Sequence, residues 1–112
     1  MKLVKEQDIC IEACPISNLS LAYTLDLRTH PTRALMHAGL DISISSDDPC
    51  FLGYDGTTLD YVYVWIAWEL DIADLKKFCL TSLKHASITD EEKKELRSFF
   101  DYKWDRFLDQ VV

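Results

Sequence analysis

Two short runs of alternating residues, each followed by a helix-like segment, constrain this chain most. In "DICIEACP", Ile9, Ile11 and Ala13 fall on one face and Cys10, Glu12 and Cys14 on the other, before Pro15 ends the run. In "LDISISS", Leu40, Ile42 and Ile44 alternate with Asp41, Ser43 and Ser45. Two strands joined through a helix lie parallel, with a right-handed crossover. A pair of parallel strands is not a sheet, however, and parallel sheets are covered on both faces. The order therefore predicts a piece of a larger α/β architecture.

The segments between and after the strands read as helices. "ISNLSLAYTLDLRTH" offers Ser17 or Asn18 as an N-cap and Leu21, Leu25 and Arg28 at helical spacing, broken before Pro31 because a residue preceding proline avoids the α region. A second short helix is expected from Pro31, with Leu35 on its inner face and Gly39 as its stop. Beyond Gly53 everything reads helical. Residues 57–70 are apolar on nearly every face ("LDYVYVWIAW"), which predicts a largely enclosed helix. Asp71 opens the next helix, with Ile72, Leu75, Cys79 and Leu83 on one stripe. The last helix starts with Thr89 and Glu92 as a capping box and carries the stripe Leu96, Phe99, Phe100, Trp104, Phe107, Leu108 and Val111. Trp65, Trp68 and Trp104 read as core or interface residues.

Charge and length exclude several classes. Twelve Lys plus Arg against nineteen Asp plus Glu give a net charge of -7 with no basic block, which argues against a nucleic-acid partner. The longest nearly uncharged run, Val62 to Trp68, is too short to span a membrane, and "MKLVKEQDICIEACP" lacks the apolar core of a signal peptide. Four cysteines without paired CxxC spacing read as buried free thiols, with one disulfide as the alternative.

The chemistry-bearing feature is "ISSDDP". Asp47 and Asp48 follow the second strand directly, where α/β folds hold their ligands. A carboxylate there can ligate a metal while its neighbour binds substrate. Alternatively Ser46 or Asp47 caps a turn that Pro49 stiffens. A calcium loop is disfavoured because dense oxygen-ligand spacing is missing.

Several stretches in order, "EACPISN", "DLRTHP", "AGLDISISSDDP" and "DLKKFCLTSLKHASITDEEKKEL", resemble the C-terminal part of the adenosine deaminases, in particular their secreted branch, the adenosine deaminase-related growth factors. The resemblance runs through "WDRFLDQVV" and covers essentially the whole chain. It implies the last two β/α units of a (β/α)8 barrel plus C-terminal helices, with barrel strands 7 and 8 at about residues 8–14 and 40–46. It also implies hydrolytic deamination of adenosine, or a related purine nucleoside, to inosine and ammonia with one zinc ion. By resemblance Asp47 is the zinc ligand that also faces the attacking water, and Asp48 hydrogen-bonds N7 of the purine. A cation beside Asp47 offsets the repulsion between adjacent carboxylates. The branch resembled is extracellular.

The departures matter equally. The family's histidine ligands, among them a His-x-His pair, and its proton-handling glutamate do not occur here. Of His30, His37 and His85, only His30 falls in a family motif ("LRTHP"), where a structural role is expected; the other two read as exposed or partly exposed helix residues. Glu12 is read as structural, and Ser17 and Asn18 as organisers of the loop beneath the site. A complete barrel needs about 250 residues. The expectation is a segment of a zinc deaminase that is inactive alone and completed by the missing barrel portion. The alternative is a catalytically dead, truncated relative acting as an interaction module, pairing with another chain or with itself.

Overall fold

The computed structural model describes residues 1–111. Its elements are α1 (Lys2–Glu6), β1 (Ile11–Ala13), α2 (Pro15–Ser20), a 3₁₀ turn (Leu27–Thr29), α3 (Pro31–His37), β2 (Ile42–Ile44), α4 (Pro49–Leu52), α5 (Thr58–Ala67), α6 (Ile72–His85) and α7 (Asp90–Val111). Pro15, Pro31 and Pro49 each stand in the first turn of a helix, where the missing N–H has no partner to lose. The chain is thus a helix-rich α/β arrangement around a two-stranded sheet.

The strands are parallel, in the register Ile11 with Ile42, Glu12 with Ser43 and Ala13 with Ile44. The N–H of Ile11 donates to the Asp41 carbonyl (2.9 Å) and that of Ser45 to the Ala13 carbonyl (2.8 Å). They lie inside the windows 8–14 and 40–46 expected from the alternation. One pleat, Ala13, Ile42 and Ile44, joins Leu40, Val64, Trp68, Leu70 and Phe78 in a single buried cluster. Each large side chain enclosed there contributes about 1.5–3 kcal/mol. Helix α6 lies against β2; Phe78 enters the cluster while Ser82 Oγ meets Ser43 Oγ on the opposite pleat at 2.9 Å.

Three helix signals hold. Asp71 and Asp74 form a reciprocal capping box at the start of α6. Thr89 and Glu92 form another, with Thr89 N–H to Glu92 Oε2 at 2.8 Å and Glu92 N–H to Thr89 Oγ1 at 3.3 Å. Gly39, at φ +75°, turns the chain out of α3 into β2.

Four expectations need correction. The helix expected through Leu21, Leu25 and Arg28 stops at Ser20, because the Asn18 carbonyl takes the N–H groups of both Tyr23 and Thr24 (2.9 and 3.2 Å). Asp26 then accepts from Arg28 N–H (2.8 Å) and starts a separate turn, leaving Leu25 exposed. Helix α5 is not enclosed: Asp60 and Val64 are buried, but Leu59, Val62, Tyr63 and Ile66 lie open, Ile66 at 74%. No residue of α7 is fully buried, so the stripe is solvent-facing at Leu96, Phe99, Phe107 and Val111. Phe100 and Trp104 stack on one another (5.7 Å between centroids), with Lys76 Nζ 5.3 Å from the Trp104 ring. Finally, the cysteines are free, as expected, but Cys50 is exposed and the other three only half-buried.

Candidate functional site at the ends of the strands

Because β1 and β2 are parallel, the segments that follow them emerge on the same edge of the sheet. After β1 come Cys14 and the first turn of α2; after β2 come Ser45 to Asp48 and α4. The two meet through one hydrogen bond: Ser17 Oγ donates to Asp47 Oδ2 at 2.8 Å. Ser17 is 1% exposed, whereas Asp47 and Asp48 are open to solvent. Asp47 adopts φ +58°, a left-handed conformation that costs an L-residue about 1–2 kcal/mol and that Asp tolerates better than most. This conformation turns the chain between β2 and α4. Asp48 occupies the N-cap position of α4, but its carboxylate makes no capping hydrogen bond. Among the described residues, Asp47 Oδ1 and the Asp48 carboxylate have no hydrogen-bond partner, which leaves both free to meet a ligand.

Burial pushes the Cys14 thiol up, opposed by a hydrogen bond with Ser45 and reinforced by the negative charge of Asp47 and Asp60. The thiol beside the carboxylate pair therefore gives up its proton less readily than a free cysteine.

The remaining motif residues brace this edge. His30 is buried, and its Nδ1 accepts the Thr32 N–H (3.2 Å) at the start of α3. Its Nε2 therefore carries the proton and donates to Asn18 Oδ1 at 2.9 Å. "LRTHP" is thus tied to "CPISN", and Trp68 Nε1 donates to the Leu27 carbonyl (2.8 Å) from behind. His30 is structural, as expected. His37 is exposed and bonds the Arg33 carbonyl within its own helix.

One group of three ligand-type residues comes together among the described residues: Asp8, Asp41 and His85, with ligating atoms within 4.8 Å. It lies at the other end of the strands, before β1 and β2, away from Asp47. Lys84 Nζ already stands between the carboxylates, 2.6 Å from Asp8 Oδ1 and 2.9 Å from Asp41 Oδ2, while His85 Nε2 is 3.0 Å from Asp41 Oδ2. The hydrogen bonds from Lys84 and His85 hold the Asp41 carboxyl below its usual range. The ammonium offsets one of the two carboxylate charges, and these contacts dock the end of α6 onto the sheet. Glu12 faces a cleft of about 660 Å³ that it shares with Asp8, Cys10, Ser43, Ser82 and His85. Neither Asp47 nor Asp48 lines that cleft.

Asp60 and Tyr54 were not expected at the site. Asp60 is 0% exposed; its Oδ1 accepts from the Ile16 N–H (3.1 Å) and its Oδ2 from the Tyr54 hydroxyl (2.9 Å). Burial and the Asp60 hydrogen bond push the Tyr54 phenol up, so it stays protonated and able to donate. The available signal was one carboxylate in an otherwise apolar helical run, "LDYVYVWIAW".

This geometry can be set beside known proteins. The sequence profile described as adenosine deaminase matches residues 1–103. Adenosine deaminase 2 of Dictyostelium discoideum is 36% identical over 113 residues, covering 100% of this chain and 21% of that protein. Adenosine deaminase 2 of Homo sapiens is 36% identical over 110 residues, covering 96% and 22% respectively. An adenosine deaminase of Phlebotomus duboscqi is 32% identical over 99% of this chain. The chain spans about a fifth of the length of these relatives. The crystal structure of adenine deaminase from Arthrobacter aurescens superposes with a TM-score of 0.78 over 85% of this chain and 29% of that one; at 21% identity the likeness concerns the fold. With a profile match over most of its length and relatives that align from end to end, the chain belongs to the adenosine deaminase family.

Proposed function

We propose that this chain is the segment of a zinc-dependent adenosine deaminase that carries the last two strands of a (β/α)8 barrel, β1 as the seventh and β2 as the eighth. In this reading residues 1–112 are the C-terminal part of the deaminase domain. The observation that carries the proposal is the Ser17–Asp47 hydrogen bond, which joins the segments after two adjacent parallel strands and leaves a carboxylate oxygen and the Asp48 carboxylate open on that edge. In barrels of this kind the edge at the strands' C-terminal ends is where ligands bind.

The donor set fits a zinc site in part. Asp47 supplies one oxygen ligand, held by a buried hydroxyl; the other ligands belong to histidines that this chain lacks. A zinc ion there supplies the Lewis acidity that activates water for hydrolysis at neutral pH. This chain's own residues do the rest of their share locally. Ser17 fixes the carboxylate orientation, and Asp48 reaches N7 of the purine. Alone, the segment holds too few ligands to deaminate adenosine, so the substrate and the reaction belong to the complete protein. The resemblance of "CPISN", "LRTHP" and "ISSDDP" to the growth-factor-related branch supports an extracellular location for that protein.

The test uses the complete protein and an analogue without N7. Asp48→Ala should weaken adenosine binding and turnover at least about tenfold, while the affinity for 7-deazaadenosine stays within twofold of wild type. Equal losses for both nucleosides, or none for adenosine, would remove Asp48 from the purine contact.

A further inference from the structure

We infer that Asp60 is a positioning residue that fixes both sides of the Ser17–Asp47 contact, an inference that rests on reading Asp47 as the metal ligand. One of its oxygens holds the residue before Ser17 directly, and the other reaches the residue before Asp47 through Tyr54. Oδ1 accepts the N–H of Ile16, next to Ser17, at 3.1 Å. Oδ2 accepts the Tyr54 hydroxyl at 2.9 Å, and the same hydroxyl lies 3.0 Å from the carbonyl of Ser46, next to Asp47. The single phenolic proton is shared between these two acceptors, so the Asp60–Tyr54 pair clamps the backbone where it enters the left-handed turn at Asp47.

The burial pattern sets this carboxylate apart from a surface charge. Asp60 is fully enclosed with no cationic partner within salt-bridge distance among the described residues, and from α5 it meets the first turn of α2 and Tyr54. A carboxylate taken out of water costs several kcal/mol unless its lone pairs are used. An apolar side chain at position 60 would avoid that cost and would suit the surrounding helix. What the carboxylate adds is two directed hydrogen bonds, one to the α2 backbone beside Ser17 and one to the Tyr54 hydroxyl that also meets the Ser46 carbonyl. Groups that orient a metal ligand in this indirect way typically change metal affinity or activity by about ten- to a hundredfold.

The test measures zinc affinity by chelator competition, kcat and KM for adenosine, and folding, in the complete protein carrying Tyr54→Phe, Asp60→Ala, Asp60→Asn or Asp47→Asn. Tyr54→Phe, which removes the hydroxyl's contacts with both the Ser46 carbonyl and Asp60 Oδ2 and keeps the Ile16 contact, should weaken zinc binding and lower kcat about tenfold with KM changed less than twofold. Asp60→Ala should lose more, and Asp60→Asn, which keeps an acceptor for Ile16 N–H, should recover most of that loss. If Asp60→Ala does not fold, Tyr54→Phe decides. A folded Tyr54→Phe protein with zinc affinity and kcat within twofold of wild type, or losses in Tyr54→Phe and Asp60→Ala that merely track thermal stability, would overturn the inference while Asp47→Asn still abolished zinc binding. Normal zinc binding in Asp47→Asn would instead overturn the reading of the site beneath it.

Discussion

At the scale of single residues, His30 shows how a motif position can be chemically suggestive yet serve the fold. Its ring is buried, Nδ1 accepts from Thr32 N–H and Nε2 donates to Asn18, so the folded state uses the neutral form. Burial lowers its pKa below the ordinary value of 6.5. The unfolded chain then binds the proton first as pH falls, so the stability that His30 contributes is complete above about pH 6.5 and declines as pH drops toward the folded value. Measured by urea unfolding, wild type should lose stability relative to His30→Gln between pH 7 and pH 5; a pH-independent difference would show that folding leaves the His30 pKa unchanged. The position of Asp47 and Asp48 directly after β2 was legible as a local pattern, whereas the roles proposed for them come from the family resemblance. Asp60 was not, since its role depends on the backbone N–H of a residue 44 positions earlier in the chain, which no periodicity reports.

Elements with self-contained signals were readable to within a residue or two. The boxes at Asp71/Asp74 and Thr89/Glu92 fix helix starts through contacts three residues apart. The segment after Ser20 was not readable, because competition between the Asn18 carbonyl and the Asp26 carboxylate for nearby N–H groups, rather than side-chain spacing, ended the helix. Helix α5 was read correctly as apolar on several faces and wrongly as enclosed. It uses the face of Asp60 and Val64 against the rest of the chain and leaves Leu59, Val62, Tyr63 and Ile66 as a second stripe at helical spacing. An apolar stripe in water favours association. The isolated chain should therefore sediment as a concentration-dependent mixture of monomer and larger species, and Ile66→Lys should shift it toward monomer. A wild-type chain that remains monomeric at high concentration would argue against the interaction-module alternative.

At the scale of the molecule, the radius of gyration of 14.7 Å exceeds the roughly 13 Å of a compact chain this long. The two-stranded sheet and the open faces of α5 and α7 account for the excess: the elements belong to a fold with more surface to cover. That incompleteness was legible from strand count alone, and the family relatives, about five times longer, agree with it. The central claim is that Asp47 completes a zinc site with ligands outside these residues. Zinc content after exhaustive dialysis, measured by atomic emission on the complete protein, tests it most directly. Wild type should retain about one zinc per chain and Asp47→Asn well under half of that; a folded Asp47→Asn protein with wild-type zinc content would contradict the claim.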